Sequence, residues 1–274
     1  MKREKPFQRR INTFTAGHIH NHLFGYKIDL DVLGVSNSLM RKEVKVGDFS
    51  LPWIFDDPSP AKKGLPMMYI DQKRVDREDK KKSCYNYDPS KPTSFMFVRE
   101  SDGGKNQWGM PRGYGIQLGH TITQFVTAAP WLGANEWTKY NVAVTVRKDS
   151  EKKSGYPWYE MQGVANPILN FDSYINGESI VNKDLVAWVM VGSAHIPSAE
   201  DVPVTPTVHS SNMFLIRPIN YFDESPVTDL YPQVFVTSEE PLPDASVENI
   251  DTVNSVLENR CYDGTPYEIF TGGI

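Results

Sequence analysis

Cysteine is almost absent from this chain of 274 residues: Cys84 and Cys261 are the only two, and no C-x-x-C pair occurs. That excludes a disulfide framework, a thiolate metal knuckle and a dithiol redox motif. Positive charge is also short. Lysine and arginine total 29 against 34 aspartates and glutamates, a net charge of −5, which argues against nucleic acid or anionic lipid as a partner, since both need a basic face. Long hydrophobic runs are missing too. The longest uncharged apolar stretch, residues 185–192, falls far below the ~20 residues of a membrane span. Residues 1–10 are basic, but no apolar stretch of ~7–15 residues follows them, so no signal peptide is read. No N-x-[ST] glycosylation sequon is present, so nothing of that kind points to a secreted location.

What the chain does have is a folding composition, with 39% hydrophobic and 12% aromatic residues, which sets it apart from disordered sequences. Prolines and glycines are scattered throughout, with short β-branched and aromatic runs between them, a texture that predicts an all-β domain with long loops. Strands are expected at 20–32, 93–98, 115–118, 140–147, 185–191, 213–218 and 231–236. The first has the clearest period of two. His20, His22, Phe24, Tyr26, Ile28 and Leu30 share one face, and Lys27, Asp29 and Asp31 share the other. Residues 71–82 are dense in charge and read as an exposed helix turn or loop, and 148–153 as a solvated turn. From 238 onward proline and acidic residues dominate. The expected organisation is a main domain over 1–240 and an extended tail over 241–274 that packs on the core or on a partner.

His20 and His22 stand two apart, which on a strand puts their Cα atoms about 6.5–7 Å apart on one face. Two imidazoles so placed can converge on one metal ion, and neutral imidazole suits copper and zinc. A third ligand must come from elsewhere, with His18, His120, His195 and His209 as the remaining histidines. An H-x-H pair alone is weak evidence for a metal and fits surface or hydrogen-bonded histidines better. A zinc hydrolase is disfavoured because no glutamate adjoins the pair as in H-E-x-x-H.

Four segments add specificity. Ile19-His20-Asn21-His22-Leu23, leading into Tyr26-Lys27-Ile28-Asp29-Leu30-Asp31-Val32, resembles the copper-ligand strand of copper amine oxidases, particularly the animal type. Trp108-Gly109-Met110-Pro111-Arg112-Gly113-Tyr114 resembles their W-G-x-P-R-G-Y stretch. Asp184-Leu185-Val186-Ala187-Trp188-Val189, followed by His195-Ile196-Pro197 and Ala199-Glu200-Asp201, is similar to D-L-V-A-W-V…H-I-P-x-x-E-D-x-P. Leu215-Ile216-Arg217-Pro218-Ile219-Asn220-Tyr221-Phe222-Asp223 resembles F-L-R-P-x-N-F-F-D. The four occur in the family's order.

The resemblance implies a large antiparallel β-sandwich of the copper amine oxidase catalytic type, incomplete at its N-terminal side. It implies copper ligands at His20, His22 and His195. Where animal members often carry a second histidine three residues after the last ligand, this chain has Ser198, which is not a ligand position. It also implies a calcium site of Asp29, the Leu30 carbonyl, Asp31, Asp184 and the Leu185 carbonyl, since carboxylate and carbonyl oxygens suit a hard cation. A second calcium site would map to Glu78, Glu151, Tyr174, Asn176 and Glu178. A homodimer with arms reaching between subunits is implied as well. The end of the chain loosely resembles the tail of animal members, where a cysteine can bridge subunits; Cys261 is then either an intersubunit disulfide or a free thiol. An extracellular or cell-surface location is suggested by the family alone.

Members of that family oxidise primary amines with O₂ and water to aldehyde, ammonia and hydrogen peroxide, using copper and a topaquinone made from one of their own tyrosines. The precursor lies in an N-Y-[DE] motif upstream of H-x-H, and an aspartate base lies further upstream. The residues before His20 contain no tyrosine. Asn86-Tyr87-Asp88 spells the motif but follows the histidine pair, so Tyr87 is read as a decoy. The expectation is therefore the copper-holding portion of a primary-amine oxidase, lacking quinone and base and inactive alone. The alternative is a non-catalytic copper- or calcium-binding sandwich with a structural or interaction role.

Overall fold

The computed structural model describes residues 6, 8–49, 65–101, 103–125, 130–156, 169–206, 211–226, 235–237 and 246–248. The expected boundary at 240/241, Cys261, His209 and the start of the strand expected at 231 lie outside the described residues. Contacts divide the chain into two units, Met1–Phe49 with Leu65–Tyr221, and Ser50–Gly64 with Phe222–Ile274.

In chain order the first unit carries β1 (Gln8–Arg10), β2 (Ala16–His18), β3 (His20–Asp29), β4 (Ser38–Phe49), β5 (Leu65–Val75) and β6 (Cys84–Tyr85). It continues with β7 (Thr93–Val98), β8 (Gly113–Leu118), β9 (Val142–Val146), β10 (Leu185–His195) and β11 (Phe214–Ile219). In the second unit, β12 (Phe235–Thr237) and β13 (Ser246–Glu248) form an antiparallel pair.

The first unit is an antiparallel sandwich. One sheet has the order β3-β10-β9-β6 and the other β11-β8-β7-β4-β5, with β1 and β2 forming a separate hairpin. The period of two explains the layering. On β10, Leu185, Ala187, Val189 and Val191 face the second sheet and join Phe95, Phe97, Ile116 and Leu39 in the main core. The alternating residues Val186 and Trp188 face outward and form a second cluster with Phe171, Ala143 and Cys84, against which Trp137, Tyr140 and Tyr174 pack. A kinked 3-10 segment over Pro130–Lys139 supplies Trp137, with Tyr140 just after it, and a turn of 3-10 helix over Phe171–Tyr174 supplies Phe171 and Tyr174. A strand with both faces covered reads as one unbroken apolar run, which is why Leu-Val-Ala-Trp-Val-Met-Val is so conspicuous in the sequence.

The expected strand at 93–98 matches β7, and β10 begins at the expected Leu185 but runs on to His195. The first strand ends at Asp29, three residues short of expectation. There Asn37, fully buried, accepts a hydrogen bond from Val32 N at 3.1 Å and donates to Val32 O at 2.9 Å, bracing the turn into β4.

The long β4–β5 hairpin was not anticipated, and β5 runs through the first half of the segment read as a helix turn or loop. Its charges hid it. Arg41 pairs with Glu43 at 2.6 Å, Lys73 with Asp71 at 2.9 Å, and Lys45 with Asp71. Such same-face ion pairs let a strand carry charge where alternation would call for apolar side chains. Only beyond β5 does the segment turn, where Asp79 Oδ1 accepts Lys81 N and Lys82 N at 2.8 and 2.9 Å.

Phe97 is fully buried between the sheets. Phe97→Ala is expected to lower unfolding free energy by about 3–5 kcal/mol through lost burial and an unfilled cavity, as read by urea denaturation followed by tryptophan fluorescence.

Candidate metal centre

Pairing between β3 and β10 builds the centre. His195 lies directly opposite His20, and Ser193 opposite His22. The i, i+2 pair on β3 and the cross-strand partner on β10 therefore share the inner face of the sheet. Ring centroids lie 4.8 Å apart for His20 and His22, 4.9 Å for His20 and His195, and 5.2 Å for His22 and His195. One nitrogen from each ring lies within 4.8 Å of the others.

The outward nitrogens fix which atoms face inward. His20 Nδ1 donates to the His18 carbonyl at 2.8 Å, leaving Nε2 as its lone-pair nitrogen. His195 Nε2 donates to Asp201 Oδ2 at 3.0 Å, leaving Nδ1. His22 Nε2 lies 3.1 Å from that Nδ1. Two nitrogens bound to one metal at ~2.0–2.1 Å would stand about 2.9–3.5 Å apart, so this spacing fits an ion between them. Burial lowers the pKa of His22, and the neighbouring His20 and His195 lower it further. Both effects favour the neutral form that a metal requires.

Asp201 is the contributor that sequence reasoning missed. It was quoted within a motif and given no role. Its signal was local: Ser198-Ala199-Glu200-Asp201 has the S-x-x-[DE] pattern of a capping box. The box is present, with Asp201 Oδ2 accepting Ser198 N at 2.7 Å and the same oxygen accepting from His195. A turn of 3-10 helix over Ala199–Asp201 therefore delivers a side chain only 5% exposed to the back of a histidine. Gly17 ties the β1–β2 hairpin to the same place, since a Cβ there would stand 2.4 Å from Pro197 Cβ.

Of the other histidines, His18 contributes its carbonyl and bonds Gln8 through its ring at 2.9 Å, while His120 bonds the Ser211 carbonyl at 2.9 Å. Neither joins the triad. Tyr87 follows β6, at the sheet edge opposite β3. Three strand spacings, roughly 14 Å, separate those edges, which is the spatial reason to keep Tyr87 apart from the histidines.

Two acidic clusters lie elsewhere in this unit. Carboxylate oxygens of Asp29, Asp31 and Asp184 come within 4.8 Å of one another. Burial raises the pKa of Asp184, and Asp29 and Asp31 add to the rise while Arg147 opposes it. In the other cluster, buried Glu78 accepts Val146 N at 2.9 Å and Asn176 N at 2.8 Å. Asn176 Nδ2 donates to Glu178 at 3.1 Å. Burial raises the pKa of both Glu78 and Glu151. Tyr174 instead turns its hydroxyl to the Lys153 carbonyl at 3.0 Å. Glu151 is buried, not part of a solvated turn as its charged neighbourhood suggested.

Comparison with known proteins adds an independent line. The sequence matches the family model for the copper amine oxidase enzyme domain over residues 1–237. It is 36% identical over 220 residues to the copper-containing diamine oxidase of Mus musculus, covering 79% of this chain and 28% of that protein. It is 32% identical over 235 residues to the liver isozyme of primary amine oxidase of Bos taurus, covering 82% of this chain and 28% of that one. Among solved structures, Pichia pastoris lysyl oxidase superposes with a TM-score of 0.70 at 27% identity, over 89% of this chain and 32% of its own. An Aspergillus nidulans amine oxidase gives 0.69 at 27% identity, over 88% and 31%. The chain thus spans under a third of the length of these relatives.

If Asp201 orients His195, Asp201→Ala is expected to weaken copper(II) binding by about 10- to 100-fold with the fold retained, as measured by competition against a chromophoric chelator. Asp201→Asn should lie between the two.

Proposed function

This chain belongs to the copper amine oxidase family, and we propose on that premise that it is the copper-holding portion of a primary-amine oxidase. The observation that carries the reading is the convergence of His20 Nε2, His22 Nε2 and His195 Nδ1 from two paired strands. Three neutral imidazoles suit copper and zinc alike; membership in the family selects copper. In the parent enzyme, copper and a tyrosine-derived topaquinone would supply the redox chemistry by which a primary amine, O₂ and water give aldehyde, ammonia and hydrogen peroxide.

This chain's own residues do the holding. His20 and His22 present lone pairs from one strand face. Asp201 keeps the proton of His195 on Nε2, so that Nδ1 stays free for the metal. The quinone precursor and the base that takes the substrate proton are assigned to polypeptide outside this chain, which leaves the chain alone without turnover. Among the described residues, one edge of β3 pairs with no other strand, and Phe24 and Tyr26 on its inner face are 42% and 47% exposed. That apolar surface is what further strands of a catalytic domain would cover.

Three finer assignments go with this reading. Asp29, Asp31 and Asp184, with the Leu30 and Leu185 carbonyls, form a calcium site. Glu78, Glu151, Tyr174, Asn176 and Glu178 form a second. The molecule is a homodimer, supported by an exposed apolar face on the β4–β5 hairpin. There the cross-strand pairs Val44–Ile70 and Val46–Met68 bring together residues 38%, 65%, 69% and 77% exposed, a patch of the kind that marks an interface. The remoteness of Tyr87 from the triad favours the second reading, a non-catalytic copper- and calcium-binding module, wherever no upstream N-Y-[DE] segment is joined to this chain.

Copper analysis of the purified chain tests the assignment. One copper per chain is expected, and alanine at His20, His22 or His195 should each abolish it; a variant that keeps full copper content removes that residue from the shell. Incubated with copper and air, the chain and its Tyr87→Phe variant should both stay free of quinone absorbance. Colour that depends on Tyr87 would overturn the decoy reading. A transcript carrying an in-frame N-Y-[DE] ahead of His20 supports the enzyme over the module.

A further inference from the structure

Arg147 and Lys148 are neighbours in sequence, yet each reaches a different acidic cluster. Arg147 Nε bonds Asp29 Oδ2 at 3.0 Å, and its guanidinium lies 3.1 Å from Asp149 and 3.9 Å from Asp184. Lys148 Nζ lies 2.9 Å from Glu178 and 3.6 Å from Glu151. Each cluster thus contains one cationic side chain from the same short segment.

Neither cation completes its cluster. Arg147 faces Asp29, Asp149 and Asp184, with Asp31 beside them, and Lys148 faces Glu78, Glu151 and Glu178. One carboxylate oxygen in each cluster is buried with no hydrogen-bond partner among the described residues, Asp184 Oδ1 in the first and Glu151 Oε2 in the second. Glu151 as a whole is only 7% exposed. A buried anionic oxygen without a donor is costly, and a hard divalent cation is the partner that several converging oxygens suit. A single-charged side chain in the same place occupies oxygens such an ion would need.

We propose that Arg147 and Lys148 are tethered counter-cations: each holds its acidic cluster together when no divalent ion is bound, and competes with that ion for the same carboxylates. This rests on the reading of the two clusters as calcium sites given above. The side chains are placed to yield. Arg147 is 40% exposed, and its alternative partner Asp149 is 86% exposed, so it can release Asp29 and keep an ion pair at the surface. Lys148 is 29% exposed and can turn to water. Occupancy of both sites is then set by calcium concentration against a built-in competitor, and one two-residue segment couples them.

Calorimetric titration of the purified chain with calcium tests this. Arg147→Gln should bind calcium about fivefold tighter, the factor that a half-exposed ion pair contributes, in the component that Asp184→Asn removes. Lys148→Gln should do the same in the component that Glu151→Gln removes. The charge-keeping variants Arg147→Lys and Lys148→Arg should stay closer to the parent than the glutamine variants do, since each retains the competing charge. Melting in chelator and in excess calcium gives the same comparison for any variant too unstable to titrate: the glutamine variants should melt lower without calcium and gain more from it. Unchanged or weaker binding in the glutamine variants overturns the competition and leaves the calcium reading standing. Absence of calcium uptake by the parent and every variant overturns both.

Discussion

The register between β3 and β10 is the constraint on which the rest depends. Because His195 stands opposite His20, three imidazoles meet on one face without any loop having to place them. A slip of one residue would turn both β3 histidines toward the outer face, away from His195. The slip is prevented by packing, since β10 buries alternate residues in two separate clusters, Val189 and Val191 on one side and Val186 and Trp188 on the other. Gly192 adds a local restraint: a Cβ there would stand 2.4 Å from Leu23 Cδ2 and 2.6 Å from the His22 carbonyl. The hydrophobic core thus sets the register, and the register sets the donor geometry.

Much of this was legible in the sequence, for reasons that can be stated residue by residue. The period of two in β3, at the edge of its sheet among the described residues, and the unbroken apolar run of central β10 are direct consequences of their places in the sheet, so both could be located. Spacing made His20 and His22 a candidate pair on one face, but only family resemblance assigned them, with His195, to a metal, because one histidine after an apolar strand has no signature of its own. The β4–β5 hairpin escaped because its charges are neutralised across strands, and pairing partners distant in sequence cannot be read from local pattern. Asp201 escaped differently. Its pattern was visible, but capping and orienting a histidine call for the same residue type, and only the fold puts the carboxylate behind the ring.

The two acidic clusters show how differently charge can be handled within one sandwich. Asp201 is nearly buried, and its Oδ2 accepts from both His195 and the Ser198 backbone, so that carboxylate is committed to a fixed geometry. Asp184 and Glu151 are partly or wholly buried with an oxygen left over, and burial raises the pKa of each. A buried carboxylate oxygen without a donor is a standing invitation to a cation. Arg147 and Lys148 answer part of that demand from solvent-accessible positions, which makes their hold weak and exchangeable.

Burial is uneven within the histidine triad, and this has a chemical consequence. His195 is 6% exposed, His22 is half-buried, and His20 is exposed. The histidines therefore sit where the core gives way, deep enough for Asp201 and the His18 carbonyl to fix two rings, yet open on the side where Phe24 and Tyr26 lie uncovered. A fully buried triad would orient its rings equally well but admit neither metal nor reactant; a fully exposed one would lose the orientation to solvent. A triad with one buried and one exposed ring keeps both properties. Any polypeptide that covers Phe24 and Tyr26 would border the three histidines, since Phe24 follows His22 by two on the same strand face.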